Sequence, residues 1–179
     1  MSIINLPNIL TLMRILILPL FVATMIYRRY DHALYLFAVA AITDTLDGLI
    51  ARLKGLKTPL GTFLDPLADK FLLITSFILL SIYNFIPLWL TIMVISRDII
   101  VVTGWVVLYL VTHSSRVEPS VAGKIAISLQ SLLICYILLD INIPSIPDLH
   151  HYLIYLTALF TIWSGLHYIY KGLKESHAD

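Results

Sequence analysis

The sequence predicts an all-α integral membrane protein, a single domain over residues 1–179 with six transmembrane helices in one bundle and both termini cytoplasmic. Three observations lead there. The chain is 59% hydrophobic and 13% charged, with a mean hydropathy of +0.91, whereas ordinary soluble domains are about 25% charged. Apolar spans of ~20 residues, enough to cross a bilayer core, recur along the whole chain. Lys and Arg are distributed unevenly between the connections, which sets the orientation. A net charge of +1 offers no footprint for nucleic acid. The single cysteine, Cys135, lies in an apolar run, which excludes an intrachain disulfide and suits packing.

Proline, glycine and charge punctuate the six helices. The first is expected from about Pro7 to Ile26, ended by Arg28-Arg29-Tyr30-Asp31. Met1 to Asn8 lacks a positive stretch and no small-residue cleavage site follows, so this helix is expected to be retained rather than removed as a signal. The second runs from about His32 to Leu53. Thr58-Pro59 supplies an N-cap and a first-turn proline for the third, which continues to about Tyr83 with a bend expected at Pro66. Pro87 opens the fourth, to about Val111, and a polar stretch from Thr112 to Pro119 follows. The fifth spans Ser120 to about Leu139, and a proline-punctuated connection from Ile143 to Asp148 leads to the sixth, roughly Tyr152 to Tyr170.

With the N-terminus in the cytoplasm, that side receives Arg52, Lys54, Lys57, Arg116, Lys124, Lys171 and Lys174, and the opposite side only Arg28 and Arg29. Tyr27, Tyr83, Trp89, Tyr152 and Tyr170 fall at span ends as interfacial anchors. His32, His113, His150, His151 and His177 also sit at span ends, whereas His167 shares the last helix with Ser164 and Tyr168.

Against this apolar background, residues 44–69 carry Asp44, Asp47, Asp65 and Asp69. An unpaired carboxylate in a bilayer costs roughly 2.5–3.5 kcal/mol on insertion scales. One such aspartate could partner a nearby Arg or Lys; four clustered ones call for a divalent cation. Asp44 and Asp47 are three apart and Asp65 and Asp69 four apart, so each pair shares a helix face. A short connection brings both pairs to the cytoplasmic ends of neighbouring antiparallel helices. With no His or Cys nearby, this all-oxygen set suits Mg²⁺ or Mn²⁺, and four carboxylates can hold two such ions about 3.5–4 Å apart, an arrangement used in phosphoryl chemistry. Gly48 and Gly61 allow close approach of a ligand to the backbone, and Arg52 can fork onto a phosphate. Asn8, Thr11 and Arg14 recur every three residues, a polar stripe on the first helix expected to face the site.

The run Asp44-x-x-Asp47-Gly48-x-x-Ala51-Arg52, then eight residues, then Gly61-x-x-x-Asp65-x-x-x-Asp69 resembles the signature of the CDP-alcohol phosphotransferases (CDP-alcohol phosphatidyltransferases). Asn5-Leu6-Pro7-Asn8, Leu10-Thr11-Leu12, Arg14, Pro66-Leu67-Ala68-Asp69-Lys70, Ser96-Arg97-Asp98, Gly123-Lys124 and Ser164-Gly165-Leu166-His167-Tyr168 look like its phosphatidylglycerophosphate and cardiolipin synthase branch. The resemblance implies a metal-dependent transfer of phosphatidyl from CDP-diacylglycerol to an alcohol, with release of CMP. It implies two Mg²⁺ or Mn²⁺ ions on Asp44, Asp47, Asp65 and Asp69, with Asp69 also the general base. Gly48, Arg52 and Gly61, with Thr58, would hold the CDP moiety, and Asn8 and Thr11 would face it. It further implies a homodimer in a bacterial-type inner membrane with the site facing the cytoplasm, or in a mitochondrial inner membrane with the site facing the matrix.

Lys124, Arg97 and Arg116 are the candidates to hold the acceptor. Asp98 follows Arg97 directly and is expected on another helix face. Phosphatidylglycerophosphate synthases often carry Arg-Glu and a second arginine about eight residues on; here the pair is Arg97-Asp98, and Trp105 stands at the later position. Ile127 replaces a typical threonine after Gly123-Lys124. These departures lean slightly towards phosphatidylglycerol, giving cardiolipin, over glycerol-3-phosphate. Two rival classes use similar residues. A membrane prenyltransferase would hold Mg²⁺ and a diphosphate but lacks this Gly-Ala-Arg interleaving, and a divalent-cation transporter would place its carboxylates near the midplane, often on paired repeats that are absent here.

Overall fold

The computed structural model describes residues 6–54, 59–112, 121–143, 145 and 147–176, and among these the side chains of 13–44, 69–104, 106, 110, 121–143, 145 and 147–171. All regular structure in the described residues is helical: α1 (Leu6–Ile26), α2 (Tyr30–Lys54), α3 (Pro59–Ile82), α4 (Leu88–Thr112), α5 (Val121–Asn142) and α6 (His150–Ser176). Each expected helix forms, and α6 extends beyond Tyr170 into the polar C-terminal segment. Pro59 opens α3, and that helix runs unbroken through Pro66. Among the described residues, Val121–Asn142 and His150–Lys171 are long and apolar enough to cross a membrane.

Two compact units share these helices. The first comprises Met1–Leu79 with Ile134–Ile146, the second Leu80–Leu133 with Pro147–Asp179. In the first unit α1 packs on α2. Arg14, Ile17, Phe21 and Met25 are buried along α1 at helical spacing, and Ala33, Phe37 and Ala40 along α2. Phe21 and Phe37 meet with ring centroids 6.2 Å apart, and Ile134, Ile137 and Leu138 of α5 are buried as well. Burying a side chain of this size removes it from contact with the surroundings for roughly 1.5–3 kcal/mol in water, but inside a bilayer close packing itself supplies the attraction.

In the second unit α4 packs on α6. Ile154, Thr157, Ala158, Thr161 and Ser164 form the buried stripe of α6, and Gln130 Nε2 of α5 donates to Thr161 Oγ1 at 3.2 Å. The outward faces are apolar, as the exposure of Leu16, Ile42, Phe71, Ile99, Leu159 and Trp163 shows. Helices that are apolar outside as well as inside match a lipid surrounding rather than water.

Two helices end in the same way without a glycine. Arg28 has φ 56°, its N–H reaches Met25 O at 3.1 Å, and Arg29 N–H reaches Thr24 O at 2.8 Å. Asn84 has φ 60°, its N–H reaches Ser81 O at 3.0 Å, and Phe85 N–H reaches Leu80 O at 2.8 Å. These are paired Schellman bonds around a left-handed residue. At the start of α2, His32 Nδ1 lies 2.8 Å from Asp31 Oδ2, and this hydrogen bond, with the adjoining backbone and charge contacts, holds the exposed Asp31 carboxyl below the usual carboxylate range.

Candidate functional site

The first cluster gathers three helices of the first unit. Arg14 Nη1 of α1 donates to Asp69 Oδ1 of α3 at 2.6 Å and lies 3.1 Å from Asp44 Oδ1 of α2. The Arg14 side chain is fully buried, while Asp44 and Asp69 are 42% and 33% exposed. The guanidinium therefore approaches from the packed side, and the carboxylates keep an open side. One residue of each aspartate pair is thus brought to a single cationic nitrogen. Arg14, from the expected polar stripe, reaches this site. Its position follows from the sequence: three residues before Ile17 and seven before Phe21, it shares the buried face of α1.

Asp47, Gly48 and Arg52 lie on α2, Gly61 and Asp65 on α3, and Asn8 and Thr11 on α1; their side chains are outside the described residues. Thr58 and Arg116 are outside them altogether. Among the described residues, no three His, Cys, Asp or Glu side chains come together as a metal-binding group. Asp44 and Asp69 nonetheless fit a hard divalent cation by chemistry and placement: both are carboxylates and both are part-exposed.

The second cluster lies in the second unit. Arg97 of α4 is 5% exposed. Its Nε donates to Ser164 Oγ at 3.2 Å and its Nη2 donates to the same oxygen at 2.7 Å. The guanidinium carbon stands 5.6 Å from the Tyr168 ring centroid, a cation–π distance. Nη1 donates to Asp98 Oδ1 at 2.6 Å. This last bond joins neighbouring residues whose side chains leave the helix on different faces. The Cβ atoms of neighbouring helix residues do diverge, but the long Arg97 side chain curls back far enough for its tip to reach the carboxylate.

Gly123 of α5 closes this cluster. A Cβ there would meet Arg97 Nη2, Tyr168 Cε2 and Tyr168 Oη, each at 3.1 Å. The glycine is thus the space into which the guanidinium and the phenol fit. Lys124 beside it is exposed, as is His167. Ser164 and Tyr168 are the partners that sequence reasoning left without a role. Their signal was present in the spacing of Thr157, Thr161, Ser164 and Tyr168, which places four polar side chains on one stripe of an otherwise apolar helix.

Comparison with known proteins adds to this geometry. A family model described as CDP-alcohol phosphatidyltransferase matches residues 4–163. The CDP-diacylglycerol–glycerol-3-phosphate 3-phosphatidyltransferase of Bacillus subtilis is 34% identical over 197 residues, which cover 97% of this chain and 99% of that protein. A Mycobacterium tuberculosis protein named "Probable phosphatidylglycerophosphate synthase" is 34% identical over 181 residues, 96% of this chain and 83% of its own. The human cardiolipin synthase (CMP-forming) is 40% identical over 101 residues, 56% of this chain and 34% of that protein.

Proposed function

We propose, for a chain that belongs to the CDP-alcohol phosphatidyltransferase family, that it moves the phosphatidyl group of CDP-diacylglycerol onto a glycerol-based alcohol and releases CMP. It is a transferase of phospholipid biosynthesis. The observation that carries the reaction centre is the meeting of Asp44 and Asp69 on one cationic nitrogen, each part of the aspartate signature on a separate helix.

Asp69 takes the proton from the acceptor hydroxyl, whose oxygen attacks the phosphorus bonded to diacylglycerol. The bond from that phosphorus to the CMP oxygen breaks, and CMP leaves with the electron pair. Asp44, Asp47, Asp65 and Asp69 would hold two divalent cations, Mg²⁺ or Mn²⁺, which when bound supply positive charge against the diphosphate. Gly48 and Gly61 give the CDP moiety room beside the backbone, Arg52 and Thr58 bind its phosphates, and Asn8 and Thr11 border it.

Glycerol-3-phosphate stands first as acceptor, because the relatives that match end to end carry it or its product in their names. Lys124 at the exposed start of α5, with Arg97 and Arg116, would hold its phosphate. Phosphatidylglycerol is the second reading. It is supported by the Arg97–Asp98 ion pair, which offsets the charge a small phosphorylated acceptor would need, and by the cardiolipin synthases matched over part of the chain.

The family match across both compact units supports one membrane domain. Six spans, cytoplasmic termini and a site facing the cytoplasm of a bacterial-type inner membrane are supported by the charge distribution of the connections. That placement lets a water-soluble nucleotide and membrane-embedded acyl chains meet, and a homodimer completes the proposal.

The test is CMP release from CDP-diacylglycerol by the detergent-purified protein with Mg²⁺ or Mn²⁺, offering each acceptor separately. Metal-dependent turnover with glycerol-3-phosphate alone supports the first acceptor, and turnover with phosphatidylglycerol alone the second. Metal-independent release, or none with either alcohol, refutes the reading.

A further inference from the structure

The placement of Arg14 carries an inference beyond ligand assignment, one that rests on reading Asp44 and Asp69 as metal-binding carboxylates. A fully buried arginine on α1 reaches both of them with one nitrogen. The two contacts are unequal: 2.6 Å to Asp69 and 3.1 Å to Asp44. The carboxylates retain 33% and 42% exposure on the side away from it. A cation entering from that side finds two carboxylates already drawn together and one opposing positive charge behind them. The opposing charge weakens the cation's hold, while the bond to Asp69 fixes the orientation of that carboxylate.

We infer that Arg14 is a positioning residue, a built-in cation that trades metal affinity for the orientation of Asp69. It holds Asp69 through the short bond and yields the longer contact with Asp44 when a divalent ion claims that carboxylate. The arrangement also explains how two part-buried acids coexist before metal arrives, since a shared guanidinium offsets their mutual repulsion.

The experiment compares wild type with Arg14→Gln and Arg14→Lys in the full chain, reading Mn²⁺ affinity by electron paramagnetic resonance, kcat for CMP release and the thermal midpoint. Arg14→Gln is expected to tighten Mn²⁺ binding by roughly tenfold, because an opposing unit charge is removed close to the ion. It is also expected to lower kcat by about 100-fold, the order expected when a reacting group loses its alignment. Arg14→Lys restores the weaker Mn²⁺ affinity and part of kcat. Arg14→Gln with unchanged affinity and kcat overturns the inference. So does a joint loss of Mn²⁺ binding, kcat and thermal midpoint, the signature of a simple tether between helices. If wild type releases no CMP, the enzymatic reading falls, and the Mn²⁺ comparison still decides whether Arg14 opposes the ion.

Discussion

Ser164 Oγ on α6 accepts two hydrogen bonds from Arg97 on α4, at 3.2 Å from Nε and 2.7 Å from Nη2, so one hydroxyl sets the plane of a buried guanidinium. Ser164→Ala leaves those donors without their acceptor, a loss of about 1–3 kcal/mol for a buried polar group. With Arg97 in the acceptor site, KM for the acceptor is expected to rise roughly tenfold, since 1.4 kcal/mol is a factor of ten in an equilibrium. KM for CDP-diacylglycerol stays at its wild-type value. Steady-state kinetics with each substrate varied in turn checks this, and equal changes in both KM values would refute it.

Gly123→Ala forces a methyl group to within 3.1 Å of Arg97 and Tyr168. The atoms it meets are the ends of long side chains, so they shift rather than block folding, at about 1–3 kcal/mol for overpacking. The expected result is a folded protein with a lower thermal midpoint and the same acceptor-selective KM defect as Ser164→Ala. A midpoint and KM at wild-type values would show that the cluster has slack.

Under the proposed roles, Asp69→Asn would remove the base and one metal ligand together. A fall in kcat of about 10²–10⁴-fold is expected for loss of general-base catalysis. Chelation with EDTA should abolish turnover in wild type, with recovery on adding Mg²⁺ or Mn²⁺. Residual EDTA-resistant turnover would count against a metal-dependent centre.

Gln130 and Thr161 form a buried bond between α5 and α6. In membrane proteins such bonds average only about 0.6 kcal/mol by double-mutant cycle. A cycle with Gln130→Leu and Thr161→Val, read by reversible unfolding in detergent, should return a coupling of that order. Activity per folded molecule should be unchanged.

At the start of α2, the hydrogen bond from His32 lowers the Asp31 carboxyl. A depressed carboxylate contributes stability above its ordinary range and loses it as pH falls through the lowered value. Carbon-13 NMR of the Asp31 carboxyl should therefore titrate below the usual aspartate range in wild type and move up towards that range in His32→Ala.

The six helices and their order were legible because each follows from local spacing and punctuation. Pro59 marks the start of α3 within the sequence itself. The ends at Arg28 and Asn84 were harder to read, because an arginine and an asparagine occupy the left-handed position where a glycine would announce it. The Arg97–Asp98 bond was not legible because the spacing rule describes Cβ directions, whereas Arg97 makes contact through atoms far from its backbone. The choice of Ser164 over its neighbours needed the packing of α4 on α6, which depends on residues nearly seventy positions apart.

The discontinuity of the first unit has a consequence for biogenesis. Arg14, Asp44 and Asp69 belong to a body completed only by Ile134–Ile146, whose Ile134, Ile137 and Leu138 are buried. At about 5–20 residues per second, a nascent chain of this kind spends several seconds between making Leu79 and making Ile134. Throughout that interval the acidic helices are without their last packing partner. Quality-control proteases would therefore meet the unit that carries Arg14, Asp44 and Asp69 in an unfinished state, and a chain arrested after α4 would present these aspartates on an incomplete body.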